Sequence, residues 1–181
     1  MKIKLKNVQI SFPSLFTTSS FNGVDTGKYD ASFLIAKDSD QAKMVQEAVK
    51  SAGVEEFGAK EWPKAKLCLK DGDDKPDLQG YPGSWVLRAS TKKRPLVING
   101  DKTPITAEDD VIYGGCLVNA SLDVRGFNSQ YGRFITATLL GVQFAGEGER
   151  FGGGSIGNAL DDFDDEGEAT STSAFDEAPP F

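Results

Sequence analysis

The stretch CLVNASLDVRGFNSQYGRFITATLLGVQF, residues 116–144, predicts two long β-strands that are joined by a hairpin. The strand-like runs occupy residues 116–125 and 133–144 and are rich in the β-branched and aromatic residues that strands favour. The connection, residues 126–132, has glycine at both ends, where turn geometry requires an unrestricted backbone. We therefore expect a β-rich domain built around this hairpin.

A strand pattern also opens the chain. Apolar residues alternate from Ile3 to Phe12, and the alternation changes phase near Lys6 and Asn7. This pattern predicts a strand with a β-bulge that ends at Phe12-Pro13. Three shorter runs predict further strands, at residues 29–36, 85–90 and 96–99.

One segment has helical periodicity. Apolar residues recur at helical spacing over residues 42–52, and Asp38, Ser39 and Asp40 precede them with N-capping side chains. Gly53 is expected to end the helix. One helix among several strands predicts a mainly β fold: an OB-like Greek-key barrel with an inserted α-helix.

The acidity of the chain is concentrated at one end. The 181 residues carry a formal net charge of −7, but residues 161–181 contain eight acidic residues and no Lys or Arg, which leaves 19 acids against 20 bases in residues 1–160. A glycine-rich stretch before this end is typical of a linker. We expect three regions: an OB-like domain over residues 1–146, a linker over 147–160 and a disordered acidic tail over 161–181 that ends in Phe.

Composition excludes several classes of function. Histidine, the usual proton shuttle and commonest transition-metal ligand, is absent from the sequence. Cys68 and Cys116 stand far apart without the spacing of a zinc site, as expected of reduced thiols inside a cell. No apolar run has the length of a membrane span. The sequence therefore predicts an intracellular protein that is not an enzyme and has no metal or other cofactor.

Basic residues lie beside aromatic residues in several places. This pattern suits single-stranded nucleic acid, because cations follow the phosphates while rings stack on unpaired bases. Phe127 and Tyr131 are the stronger stacking candidates, since a core role is hard to arrange in a glycine-bounded turn. Trp85 fits core packing equally well. The predicted DNA-binding residues are Trp85, Arg88, Lys92, Lys93, Arg94, Arg125, Phe127, Tyr131 and Arg133.

The acidic tail is the second predicted site. About 21 flexible residues have an r.m.s. reach of roughly 25 Å, which is enough to visit a basic groove on the same domain. The tail can then compete with DNA and, once displaced, bind a polymerase, helicase or nuclease. Its predicted partner-binding residues are Asp161, Asp162, Asp164, Asp165, Asp176, Glu177 and Phe181.

Six short segments occur together in an order that resembles a phage and prophage family. They are ISFPSLF (10–16), KYDASFLIAKD (28–38), LKDGD (69–73), YGGC (113–116), GVQF (141–144) and FGGG (151–154). Members of that family look like OB-fold single-stranded DNA-binding proteins. The resemblance implies replication or recombination work in an infected bacterial cell, with no catalysis. From the residues we expect sequence-tolerant coating of single strands of phage DNA in the cytoplasm of the bacterial host and no membrane partner, and self-association along DNA is left open.

Two alternatives stay open at this point. The nearly neutral body also suits a protein-interaction module of the replication machinery that binds DNA only weakly. A magnesium-dependent nuclease would use the cluster Asp71, Asp73 and Asp74, although a solvated turn explains these residues better.

Overall fold

The computed structural model describes residues 1–151, and the predicted mainly β fold with one α-helix is confirmed within that range. The predicted acidic tail and most of the predicted linker lie outside the described residues. The helix α1 spans Asp40–Phe57. The strands are β1 (Lys2–Ser14), β2 (Ser20–Phe21), β3 (Val24–Asp25), β4 (Tyr29–Ala36), β5 (Lys66–Leu67), β6 (Leu69–Asp71), β7 (Ser84–Thr91), β8 (Leu96–Ile98), β9 (Leu117–Ser129) and β10 (Gly132–Gly146).

Five of these strands close into a barrel. In sheet order β10, β9, β1, β4 and β7 are neighbours with antiparallel pairing. The ring closes where β7 runs parallel to β10, with Ala89 beside Ala137 and Ser90 beside Thr138. A five-stranded Greek-key barrel of this kind is the OB fold, so the predicted fold class is confirmed.

Alternate residues of the barrel strands fill its interior. Successive residues of a strand face opposite sides of the sheet. When every second residue is buried in the barrel, the residues between them face outward. The helix α1 covers the core with a face of small and β-branched residues. Large side chains that are fully buried in the barrel are Leu5, Ile10, Phe33, Leu87, Leu122, Ile135 and Leu139.

The bulge predicted in β1 is confirmed. The register of β1 against β9 shifts between Leu5 and Val8, and Asn7 between them has a φ of +51°. The bulge bends the strand, as barrel closure requires.

The predicted end of β1 at Phe12-Pro13 is wrong, because the strand continues to Ser14. A second register shift, between Ser11 and Ser14, places Phe12 at a φ of +49°. Pro13 fits there because a residue at a bulge need not donate a ladder hydrogen bond.

The predicted end of α1 at Gly53 is also wrong. The helix begins after the predicted cap Ser39 and continues to Gly58, whose φ of +86° ends it. A Cβ on Gly53 would lie 2.7 Å from Cδ1 of Ile135 and 2.8 Å from Cβ of Trp62. Gly53 therefore serves close packing of the helix on the barrel and does not terminate it.

The hairpin between β9 and β10 is tighter than the sequence indicated. The strands pair as far as Ser129 and Gly132, so the connection is only Gln130 and Tyr131. No helix among residues 1–151 is long and apolar enough to cross a membrane.

Residues 148–151 lie against the barrel. The Phe151 N–H donates to the carbonyl of Gly114 at 2.9 Å, and the Gly148 N–H donates to the Tyr113 hydroxyl at 3.1 Å. The Arg150 guanidinium lies 4.4 Å from the centre of the Tyr113 ring. The first part of the predicted linker therefore packs on the barrel.

Candidate nucleic-acid interface

An open groove of about 880 Å³ lies over the outer face of β4, β7 and β10. Ser32, Arg88 and Thr136 are outward-facing residues of its floor. The remaining lining comes from Phe12 and Ser14 of β1, from the connection between β1 and β4, which carries the β2–β3 hairpin, and from residues 66–81. In OB folds the second and third barrel strands, here β4 and β7, form the oligonucleotide-binding face together with the loop before them.

The lining of the groove has an excess of positive charge. Asp30 is paired with Arg88, and Asp71 is paired with Lys37 outside the lining. A cationic lining favours a polyanionic ligand although residues 1–160 as a whole are nearly neutral. The cationic lining residues are Lys28, Lys66, Lys70, Lys75 and Arg88, and the acidic ones are Asp30, Asp71 and Asp74.

The acidic turn at residues 71–74 is organised around an ammonium group. Lys37 Nζ lies 2.6 Å from Oδ1 of Asp71 and 2.7 Å from Oδ2 of Asp73. Hydrogen bonds from Lys37 lower the pKa of both carboxyl groups. These oxygens therefore serve a local ion-pair network that links the turn to the end of β4.

Two stacked rings stand at the β10 side of the groove. Phe127 and Phe134 are cross-strand partners, with ring centroids 5.3 Å apart and an angle of 17° between the planes. Lys66 Nζ lies 5.5 Å from the centre of the Phe134 ring, and Phe127 is 45% exposed. An accessible ring beside a cation is the arrangement that stacks a base and holds its phosphate.

Two more predicted residues lie on the same β9–β10 hairpin. Tyr131, at the two-residue turn, is 79% exposed. Arg125 pairs across the strands with Thr136 of the groove floor, and its Nε donates to Asp123 Oδ2 at 2.8 Å. Arg125, Phe127 and Tyr131 therefore lie on one hairpin, and their contact with DNA stays a prediction.

Arg88 lies in β7, and the predicted basic loop follows the end of that strand. Arg88 is on the groove floor with 68% of its side chain exposed. The loop 92–94, which is exposed, directly follows the end of β7, where Ser90 still lines the groove. The Arg94 guanidinium lies 5.7 Å from the centre of the Phe16 ring. The loop therefore extends the cationic surface beyond the end of the groove.

The structure does not bring Trp85 and Arg133 together with these residues. Trp85 packs against the hydrophobic core, with Lys37 Nζ 5.2 Å from the ring centre. Arg133 donates to Glu61, and its guanidinium lies 5.9 Å from the Phe57 ring at the end of α1. Both side chains face away from the groove because of the alternation along β7 and β10.

Sequence reasoning did not identify several groove residues. The Asn22-Gly23 pair between Phe21 and Val24 is a hairpin signal that could have located the β2–β3 hairpin. The lysines of β5 and β6 had no comparable signal, because these strands are only two and three residues long. The lining residues that were missed include Phe12, Phe21, Lys28, Lys66 and Lys70.

A second concavity, of about 560 Å³, lies between β1 and α1. It is lined by Met1, Lys2, Ile3, Lys4, Met44, Glu47, Ala48 and Ser51. None of these residues has a ring on which a base could stack. The groove over β4, β7 and β10 is therefore the better candidate for nucleic acid.

A closed barrel whose second and third strands lie under a groove with rings and cations is the arrangement of OB-fold proteins that bind single-stranded nucleic acid. The family model described as "Enterobacter phage Enc34, ssDNA-binding protein" matches residues 1–173. The chain belongs to this family, which confirms the resemblance seen in the sequence. The family consists of non-catalytic single-stranded DNA-binding proteins, so the prediction that the chain is not an enzyme is also confirmed.

Individual relatives agree with this assignment. Putative protein p50 of Acyrthosiphon pisum secondary endosymbiont phage 1 is 39% identical over 175 residues, which cover 91% of this chain and 94% of that protein. The single-stranded DNA-binding protein of bacteriophage Enc34, solved in complex with ssDNA, is 32% identical with a TM-score of 0.72 over 83% of this chain and 89% of that one. The single-stranded DNA-binding protein gp2.5 of bacteriophage T7 has a TM-score of 0.60 at 17% identity, over 92% of this chain and 97% of that one, and shows the fold alone.

Proposed function

We propose that this protein binds single-stranded DNA along the groove over β4, β7 and β10 without reading its sequence. The observation that carries the proposal is the Phe127–Phe134 stack with Lys66 beside it. Rings stack on any base, and cations follow any phosphate chain, so the arrangement is tolerant of sequence. The similarity to a protein solved with ssDNA supports the same class of ligand.

The groove sets the expected scale of binding. A footprint of about 4 to 16 nucleotides is usual for one OB fold. Single strands lose roughly 0.7 in log affinity per log salt for each neutralised phosphate, so three to five lining cations give a slope of about −2 to −3.5. Coating by successive copies would protect the strand and remove hairpins ahead of a polymerase.

A titration of labelled oligo-dT at increasing salt concentration tests this proposal. We expect saturable binding at low salt, a steep loss of affinity as salt rises, and weaker binding of a duplex of equal length. RNA of equal length measures the preference for DNA. An affinity independent of salt, or a duplex that binds better than the single strand, would contradict the proposal.

We further propose that the chain has three regions: a DNA-binding domain over 1–146 on which residues 148–151 pack, a linker over the rest of 147–160, and a tail over 161–181 that competes with DNA for the groove. Eight acidic residues without a base complement the cationic lining. Deletion of residues 161–181 should tighten oligo-dT binding at low salt and have little effect at high salt, because screening removes the competition. Unchanged or weaker binding at low salt would refute a competing tail.

We also propose that the displaced tail recruits replication or recombination proteins in the host cytoplasm. Its aromatic residue Phe181 and the acids Asp176 and Glu177 offer an apolar anchor beside negative charge. A Phe181→Ala variant should lose a purified phage or host polymerase, helicase or nuclease partner while its oligo-dT affinity is unchanged. Loss of DNA binding in the same variant would place Phe181 in the domain's own function instead.

A second candidate function is a replication interaction module with only weak DNA binding. Its support is the near balance of 19 acids and 20 bases in residues 1–160. The same titration separates the two, because this alternative predicts no saturable binding of oligo-dT even at low salt.

A further inference from the structure

A carboxylate is buried in the floor of the cationic groove. Asp30 of β4 lines the groove, but only 12% of its side chain is exposed. Its Oδ2 accepts a hydrogen bond from Ser19 Oγ at 2.9 Å and another from the Arg88 guanidinium at 2.9 Å. One oxygen therefore joins the connection between β1 and β4 to the cation on the groove floor.

Ser19 forms the base of the β2–β3 hairpin. Its N–H donates to the carbonyl of Lys28 at 2.8 Å, and its own carbonyl accepts from the Thr26 N–H at 2.9 Å. The Ser19 and Thr26 hydroxyls are 2.8 Å apart. At the other end of the hairpin Phe21, 72% exposed, also lines the groove. The orientation of Phe21 is thus connected to Asp30 through Ser19.

The β2–β3 hairpin has little support from its own strands. β2 and β3 are two residues each and pair with each other as a separate two-stranded sheet, apart from the barrel sheet. A two-stranded hairpin is at best marginally stable in water. Side-chain hydrogen bonds at its base therefore have a large influence on where its exposed ring points.

We propose that Asp30 is a positioning residue that sets both Arg88 and the Phe21 hairpin for single-stranded DNA, an inference that rests on the proposed function. By itself, a negative charge in a groove that binds a polyanion weakens binding by Coulomb repulsion. A carboxylate at this position is therefore expected to have a second role that offsets this cost. Arg88 keeps further N–H donors for a phosphate while one donor is held by Asp30. The carboxylate thus orients the cation and fixes the ring, and the two act on DNA as one unit.

A double-mutant cycle between Asp30 and Phe21 tests the proposal by oligo-dT titration. Phe21→Ala alone should weaken binding about 5- to 150-fold, the range for loss of one base–aromatic stack. In an Asp30→Ala background the same change should cost at least about threefold less, because residues of one network are not additive. Ser19→Ala leaves the Asp30–Arg88 pair in place but removes the contacts of the Ser19 hydroxyl with Asp30, Thr26 and the Lys28 carbonyl, and it should show the same reduced effect of Phe21→Ala.

Two variants separate positioning from charge alone. Asp30→Asn keeps an oxygen that accepts from Ser19 and Arg88 but removes the charge, so the full effect of Phe21→Ala should persist in it. Asp74→Ala removes a carboxylate from the same groove without touching Ser19 or Arg88, and the effect of Phe21→Ala should be unchanged there as well.

The outcomes distinguish this inference from the proposed function. If the unaltered chain binds oligo-dT but Phe21→Ala has the same cost with and without Asp30, or no cost at all, Asp30 does not position the hairpin and the inference fails alone. Tighter binding by Asp30→Ala with an unchanged Phe21 effect would show that Asp30 acts only through its charge. If the unaltered chain does not bind oligo-dT, the proposed function fails and this inference fails with it.

Discussion

The two hairpins beside the groove hold their exposed rings in different ways. In the β9–β10 hairpin, whose strands are 13 and 15 residues long, Phe127 stacks on Phe134. In the β2–β3 hairpin, whose strands are two residues long, Phe21 depends on hydrogen bonds at the base of the loop. Apolar stacking holds the first ring, whereas polar hydrogen bonds at the base of the loop hold the second.

The packing behind each hairpin differs in the same direction. A Cβ on Gly126 of β9 would lie 2.9 Å from Cβ of Glu56 and 3.2 Å from Cε2 of Phe57, so the end of α1 supports that hairpin directly. A Cβ on Gly23 would meet nothing within 4 Å. The β9–β10 hairpin is therefore supported by direct packing on α1, whereas the tip of the β2–β3 hairpin at Gly23 has no such packing.

Removal of the Phe134 ring, on which Phe127 stacks, should have the largest effect on oligo-dT affinity. Phe134→Ala should cost about 2–3 kcal/mol of oligo-dT binding, because one stacked ring is worth about 1–3 kcal/mol and Phe127 loses its support as well. Phe144→Ala, on the same strand but outside the groove lining, is the matched control and should lower stability without lowering the affinity of the folded protein. Equal affinities of the two variants would show that the stack is not used.

Substitution of the two glycines should distinguish the supported β9–β10 hairpin from the β2–β3 hairpin. Gly126→Ala should lower the free energy of unfolding by about 1–3 kcal/mol, because the added methyl group overpacks the contact with α1. Gly23→Ala is strained by a φ of +78°, but it should leave the denaturation midpoint nearly unchanged because a weakly coupled hairpin can open locally. Urea denaturation measures both, and equal midpoint shifts would contradict the distinction.

Substitution of Arg88, on the groove floor, and of Arg133, in β10, should affect the salt dependence of oligo-dT affinity differently. Arg88→Gln should reduce the slope of log affinity against log salt by about 0.7 and weaken binding roughly fivefold at 0.1 M salt, the contribution of one phosphate contact. Arg133→Gln should leave the slope unchanged, because Arg133 is paired with Glu61 away from the groove. Titrations at four salt concentrations suffice, and a reduced slope for Arg133→Gln would extend the interface towards α1.

The smallest effect concerns a thiol in the groove. Burial raises the pKa of Cys68 to about 11, above the usual value near 9, so well under about 1% of it is the reactive thiolate at pH 8.5. Iodoacetamide should label Cys68 slowly at pH 8.5, faster as the pH approaches 11, and more slowly again with bound oligo-dT. Cys68→Ser leaves Cys116, which is fully buried, as the control thiol. Rapid labelling at pH 8.5 would contradict the raised pKa.

The barrel was largely predictable because its determinants are local. A strand-like run located β4 over residues 29–36, and the phase change in the period-2 alternation of β1 placed a bulge near Asn7, where the structure has both. Glycine was the main source of error, since one residue type serves different purposes. Gly53 permits close packing inside α1, and only the backbone angle of Gly58 distinguishes the glycine that ends the helix.

Of the predicted DNA-binding residues, Arg88 lines the groove, and three others lie beside it on one hairpin. Arg125, Phe127 and Tyr131 are neighbours in the sequence and remain neighbours in the fold. Lys66 reaches the Phe134 ring through a parallel pairing between β5 and β10, strands that are about seventy residues apart, and no local pattern records that pairing. Trp85 and Arg88 are only three residues apart in the sequence. Alternation along β7 nevertheless places their side chains on opposite faces of the strand.

The positions of the two indoles determine how this protein can be observed. Trp62 and Trp85 both pack against the core, and neither lines the groove. We therefore expect their intrinsic fluorescence to follow unfolding of the barrel and to stay constant when a strand occupies the groove. An unlabelled oligonucleotide that quenched this emission would move the interface to the edge of the barrel at Trp85.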